Sequence, residues 1–122
     1  MLLFSVLLRQ TNVRARNFHK LKEELNQQGI RFILVPIPQR ETVYSDELKI
    51  KIERKFYHDL IEVMKQKNIE ALDLETIFKN DYMKNKKYLY FTDDVHWNAE
   101  GVRLAADELI KILNKESSGH AL

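Results

Sequence analysis

The 122 residues carry 20 basic and 18 acidic side chains, a formal net charge of +2, with 44% hydrophobic and 31% charged residues. This balance fits one globular domain, is too apolar for a disordered chain, and lacks the concentrated positive charge that a nucleic-acid partner demands. The absence of cysteine excludes disulfides, thiolate metal sites and a cysteine nucleophile.

The opening apolar run, residues 2–8, is far shorter than the roughly 20 residues of a transmembrane segment. It also lacks the basic flank and small-residue cleavage site of an export signal, so it reads as a buried strand and leaves the compartment open. Phe18, Leu21 and Leu25, with Val13, recur at helical spacing and predict an amphipathic helix over about 13–28. Gly29 stands where a left-handed C-terminal residue is expected. Phe32 to Val35 is short, β-rich and unalternating, the pattern of a strand covered on both faces. Pro36 and Pro38 end it and enforce an extended loop to Tyr44.

Ser45 is placed to cap a helix whose first turn holds Asp46 and Glu47, and whose apolar stripe is Leu48, Ile52, Phe56, Leu60 and Val63. Ile69 to Leu72 predicts a third strand, Asp73 the cap of a short helix through Phe78, and Tyr88 to Phe91 a fourth strand. Lys84, Lys86 and Lys87 read as a solvated cluster. Asn98 can cap a last helix to about Leu113, with Val102, Ala105, Leu109, Ile110 and Leu113 inward. The order β-α-β-α-β-α-β-α implies parallel pairing, in a flavodoxin-like three-layer α/β/α sandwich with a mainly parallel sheet. A single domain is expected over residues 1–115, with a flexible tail over 116–122. In such sheets ligands bind beyond the carboxyl ends of the strands, which draws attention to the Pro36–Tyr44 and Thr92–Asn98 connections.

The second connection contains Asp93-Asp94-Val95-His96-Trp97-Asn98. A histidine base needs a carboxylate on its other ring nitrogen, and a tight turn can bring residues two or three apart into that contact. Asp93 and Asp94 are both candidates for that carboxylate, against the plainer reading of a surface turn. Trp97 is open between a sugar-stacking wall and core filling, Arg40 between gripping an anionic sugar carboxylate and solvation, and Tyr44 between substrate contact and packing. His19 and His58 fall on predicted helices and His120 in the tail. Nothing indicates a metal site, a cofactor or a Gly-rich phosphate loop.

The stretch YLYFTDDVHWNAEGVRLAADELIKIL resembles the last conserved block of the SGNH hydrolase superfamily, where a D-x-x-H or D-x-H element precedes the final helix. Upstream, RFILVPIPQRETVYSDEL resembles the P-x-P-x-K/R…Y segment of the alginate O-acetyltransferase branch, the AlgX/AlgJ-like group, with Arg40 and Tyr44 in register. Asp73-Leu74 matches that branch's aspartate after the next strand. The resemblance implies His96 as base and either Asp94, by the D-x-H-W spacing, or Asp93, by D-x-x-H, as its acid, with Asp94 favoured. It implies O-acyl transfer or ester hydrolysis on a cell-envelope polysaccharide or acyl-ester substrate, and a periplasmic or envelope location for a full-length parent.

Such an enzyme also needs a serine in a strand-to-helix turn, and none of Ser5, Ser45, Ser117 and Ser118 has that context. The chain therefore reads as a partial domain lacking the serine segment. The alternative is an inactive module that keeps the fold and binds carbohydrate or protein. A partial sheet is expected to leave apolar surface near Phe32, Leu34 or Leu89 and to favour self-association or a partner protein.

Overall fold

The computed structural model describes the backbone of residues 2–49, 51 and 56–119, and the side chains of 14–49, 51 and 56–115. In chain order the elements are α1 (Leu2–Gln27), β1 (Ile33–Leu34), α2 (Arg40–Val43), α3 (Ser45–Leu48), α4 (Phe56–Gln66), β2 (Glu70–Ala71), α5 (Leu74–Asn85) and α6 (Ala99–Gly119). They fall into two compact units, one of residues 1–36 and 53–73, the other of 37–52 and 74–122.

In the first unit, α1 already starts at Leu2, so residues 2–8 are helical rather than a strand. An uninterrupted apolar run fits either structure, and here no Gly or Pro separates it from the helix that follows. α1 ends in a Schellman turn. Ile30 N donates to Leu25 O (2.9 Å), Gly29 N donates to Asn26 O (3.0 Å), and Gly29 is left-handed at φ 73°. α4 ends the same way with Asn68, φ 57°, in the glycine position: Ile69 N donates to Met64 O (2.9 Å) and Asn68 N to Lys65 O (3.0 Å). Each turn feeds a strand, and β1 and β2 pair in parallel with Ile33 opposite Glu70. Leu72 N extends the ladder to Leu34 O (2.9 Å). Arg31 grips Glu70 with both ends of its fork, at 3.0 and 2.5 Å. Beneath the pair, Ala15, Val63, Met64 and Ile69 are buried, with Phe18, Phe32, Leu34 and Leu60 packed against them.

In the second unit the core is Val43, Leu74, Phe78, Tyr82, Leu89, Tyr90 and Ala105. The 37–44 loop is extended only to Gln39 (φ −75°, ψ 140°); Thr42 N and Val43 N then donate to Gln39 O and start one helical turn. Ser45 does not cap α3. Its hydroxyl donates backward to Thr42 O (2.8 Å), and Tyr44 precedes the helix. The helix expected from Ser45 onward stops at Lys49, which is left-handed at φ 55°, and regular helix resumes at Phe56. Ile52 of the expected stripe lies outside the described residues; Leu48 and Phe56 are exposed, and Val63 is buried. α5 outruns its expected end at Phe78 and carries Tyr82 into the core, where the hydroxyl is bonded to the Glu47 carboxylate. That bond, assisted by burial, pushes the phenol up to about 12.

The fourth expected strand reduces to a single antiparallel bridge, Tyr90 with Trp97. Its backbone is claimed by side chains. Tyr44 Oη accepts from Leu89 N (3.0 Å), and Asn98 Nδ2 donates to the carbonyls of Tyr88 (2.9 Å) and Tyr90 (3.2 Å). Leu89 is only 1% exposed, so the apolar surface expected there is covered, while Phe32 and Leu34 stay partly exposed. More apolar surface emerges on α6, where Ala105 is buried but Val102, Ile110 and Leu113 are exposed. The inward face is set by Gly101, Leu104, Ala105, Leu109 and Ile112, so Ala105 and Leu109 lie on it as predicted and Val102, Ile110 and Leu113 do not. The expected flexible tail is helical in backbone to Gly119; residues 120–122, with His120, lie outside the described residues.

Candidate active site

The site is built on a six-residue loop, 91–96, closed by the Tyr90–Trp97 bridge. Phe91 N donates to His96 O (3.1 Å) and Asn98 N to Leu89 O (2.9 Å). Asn98 anchors the exit. Besides binding the Tyr88 and Tyr90 carbonyls, its Oδ1 accepts from Gly101 N (3.0 Å), the third residue of α6, as a side-chain cap. Gly101 has to be small, since a Cβ there would stand 2.4 Å from Leu89 O and 3.2 Å from Trp97 Cβ. α6 therefore starts hard against the strand-like segment that leads into the loop.

Within the loop, Asp94 and His96 form a local pair. Asp94 Oδ1 accepts from His96 N (3.0 Å), an Asx turn that fixes the carboxylate over the second residue on. The same oxygen lies 2.5 Å from His96 Nδ1. An ionised carboxylate only accepts, so Nδ1 carries a proton, and in the neutral ring this leaves Nε2 with its lone pair. The imidazole is 74% exposed. Hydrogen bonds from the His96 backbone N–H, and then from its ring, hold the Asp94 carboxyl below its ordinary range. Asp93 is exposed and makes no side-chain hydrogen bond to another described residue.

The two connections singled out from sequence meet here. The helical turn of α2 puts Arg40 and Tyr44, four apart, on one face. Arg40 Nη1 donates to the Asp94 carbonyl (2.9 Å), and its Nε to Glu41 (3.0 Å). Tyr90 Oη donates to Pro38 O (2.6 Å). Tyr44 sits in an aromatic cluster, its ring centroid 4.8 Å from Tyr82 and 5.8 Å from Tyr90. Between these segments lies a groove of about 340 Å³ lined by Arg40, Glu41, Tyr44, Tyr88, Phe91 and Thr92, among others. Tyr88 and Phe91 are more than half exposed. Trp97 is half-buried at the bridge.

Sequence reasoning missed the groove residues Tyr88, Phe91 and Thr92; the exposed aromatics bracketing a buried Leu89-Tyr90 pair were the available signal. It also saw only the capping half of Asn98. Of the other histidines, His19 pairs with Glu23 (3.8 Å) and His58 is exposed. Among the described residues no His, Asp and Glu group is arranged to hold a metal ion, and no helix is long and apolar enough to cross a membrane.

A parallel strand pair, helices between the strands, and an aspartate–histidine turn entering the last helix are features of an SGNH hydrolase-like α/β domain. The family model described as the SGNH hydrolase-like domain of acetyltransferase AlgX matches residues 7–122, and the chain belongs to that family. No curated protein and no solved structure matches the chain.

Proposed function

We propose that this chain supplies the acid–base half of an O-acyl-transfer site that acts on a cell-envelope polysaccharide. The observation that carries the reading is the Asp94–His96 contact of 2.5 Å on an exposed turn. His96 Nε2 takes the proton from a hydroxyl as that oxygen attacks the acyl carbonyl. The ring, now an imidazolium, is stabilised by Asp94 and returns the proton to the departing oxygen. Ser45, the only serine among the described side chains, is buried with its hydroxyl given to Thr42 O, so it is not the attacking group. The exposed rings of Tyr88 and Phe91 suit the apolar face of a sugar, and Trp97, next to the base in sequence, is a further candidate wall. AlgX-type acetyltransferase kinship supports an acetyl group, and an alginate-like polymer in the periplasm is the substrate and setting we favour.

The test is acetyl transfer to polysaccharide by the full-length gene product. His96→Ala is expected to remove about 10⁴-fold or more of the turnover, and Asp94→Asn, which leaves the imidazole in the wrong tautomer, about 10²–10⁴-fold. Undiminished turnover in His96→Ala would overturn the assignment. No transfer by the unaltered protein would leave glycan binding by the groove as the function.

A further inference from the structure

We infer that Arg40 is a positioning residue for His96 and not a substrate grip. This deepens the acyl-transfer reading and rests on it for its consequence, though not for its geometry. Residues 92–95, which follow the Tyr90 side of the Tyr90–Trp97 bridge, are all exposed. Among the described residues, one hydrogen bond reaches them from outside the loop, from Arg40 Nη1 to the Asp94 carbonyl at 2.9 Å. The donor is a full positive charge, which makes this bond stronger and more directional than a neutral one. It fixes the peptide plane directly after Asp94, and the Asx turn that aims the Asp94 carboxylate at His96 is built on that plane. Without it, Asp94 and His96 still follow each other in sequence, but the turn that joins them has no external brace.

The guanidinium is also poorly disposed to seize a sugar carboxylate. A carboxylate is gripped through two neighbouring N–H groups, along Nε and Nη2 or across Nη1 and Nη2. Arg40 Nε is committed to Glu41 Oε1 (3.0 Å) and Nη1 to the Asp94 carbonyl. Each edge is half used. Glu41 is itself held below the ordinary carboxylate range, first by its backbone hydrogen bond and then by Arg40, so its charge stays in place to hold the fork. Both residues line the aromatic groove and give it a neutralised end.

The test compares the chain with Arg40→Ala, Arg40→Gln and Arg40→Lys. Nitrogen–proton correlation across the His96 ring reads the tautomer and the Nδ1 proton facing Asp94. Titration with an O-acetylated hexuronate oligosaccharide reads affinity. The Nδ1-protonated signature is expected to collapse in Arg40→Ala and Arg40→Gln and to return in Arg40→Lys, which restores one charged donor, while Kd stays within about twofold. In the full-length gene product kcat should fall about 10- to 100-fold, the scale of one charged hydrogen bond, at unchanged KM. An intact ring signature in Arg40→Ala overturns the inference, and so does a Kd or KM raised tenfold with kcat unchanged. Because the ring is read without turnover, failure of the acyl-transfer reading, seen as full activity in His96→Ala, is distinguishable from failure of this one. Arg40→Gln keeps the first methylenes and a polar end but falls short of the Asp94 carbonyl, so a folding defect confined to Arg40→Ala would not hide the result.

Discussion

Asp94 Oδ1 collects two hydrogen bonds from one residue, the backbone and the ring of His96, and both favour the ionised acid. A carboxyl with a depressed midpoint contributes order that is present above its ordinary value and is lost as pH falls through the lowered one. The loop should therefore survive acidification past about pH 3.9, the ordinary aspartate midpoint, and loosen only below it. The carbon shift of the Asp94 carboxyl, followed against pH, checks this. His96→Ala keeps the N–H and removes the ring, so it should move the midpoint only part of the way back; a midpoint already at the ordinary value in the unaltered chain would contradict the dyad geometry. This pair was legible in the sequence because everything that makes it lies within three residues. Asp94 is preferred over Asp93 because a side chain accepting from the N–H two residues on is the Asx geometry, and D-x-H alone places the imidazole on the same oxygen. The part played by Arg40 was not legible. Its partner is a main-chain carbonyl 54 residues away, and a carbonyl leaves no mark on residue identity.

Asn98 ties α6 to the segment before it from both sides. Removing it costs the cap, about 1 kcal/mol, and leaves the carbonyls of Tyr88 and Tyr90 short of a donor, about 1 kcal/mol more in sum. Asn98→Ala is expected to destabilise by about 2 kcal/mol in urea unfolding, and Asn98→Asp, which keeps the cap and loses the donors, by about half of that. Gly101→Ala sets two effects against each other. Helix propensity gains up to about 1 kcal/mol. The new methyl, however, meets Leu89 O at 2.4 Å, and that oxygen is pinned by Asn98 N, so it cannot yield cheaply. The clash, about 1–3 kcal/mol, should win, and a more stable Gly101→Ala protein would show that this contact gives way. Helix ends such as Gly29 were readable because backbone chirality selects glycine there. The strands were harder to read. Residues 2–8 hold one polar side chain, Ser5, too few to set a period, and Tyr88–Phe91 had strand-forming side chains whose ladder groups are taken by Tyr44 and Asn98.

For the molecule as a whole, the family, the α/β character and the parallel pairing of β1 with β2 followed from pattern and resemblance. What sequence left out was how the chain is divided. With Ser45 bonded to Thr42 and buried, this chain alone should hydrolyse an aryl acetate at the background rate, and Ser45→Ala should change nothing; turnover lost with that substitution would make Ser45 a nucleophile after all. The second compact unit is assembled from two stretches, 37–52 and 74–122, with part of the other unit threaded between them. The bonds that join the stretches at the site, Arg40 to Asp94, Tyr90 to Pro38 and Leu89 to Tyr44, span 54, 52 and 45 positions. On a ribosome adding roughly 5–20 residues per second, Arg40 emerges about 3–11 s before Asp94 does. Through that interval Arg40 lacks the Asp94 carbonyl that it bonds in the folded chain, while α1 and β1 have already left the ribosome. The Asp94–His96 turn is thus timed by translation, and slow codons between residues 45 and 94 would lengthen the period in which this half-built turn is open to chaperones and proteases.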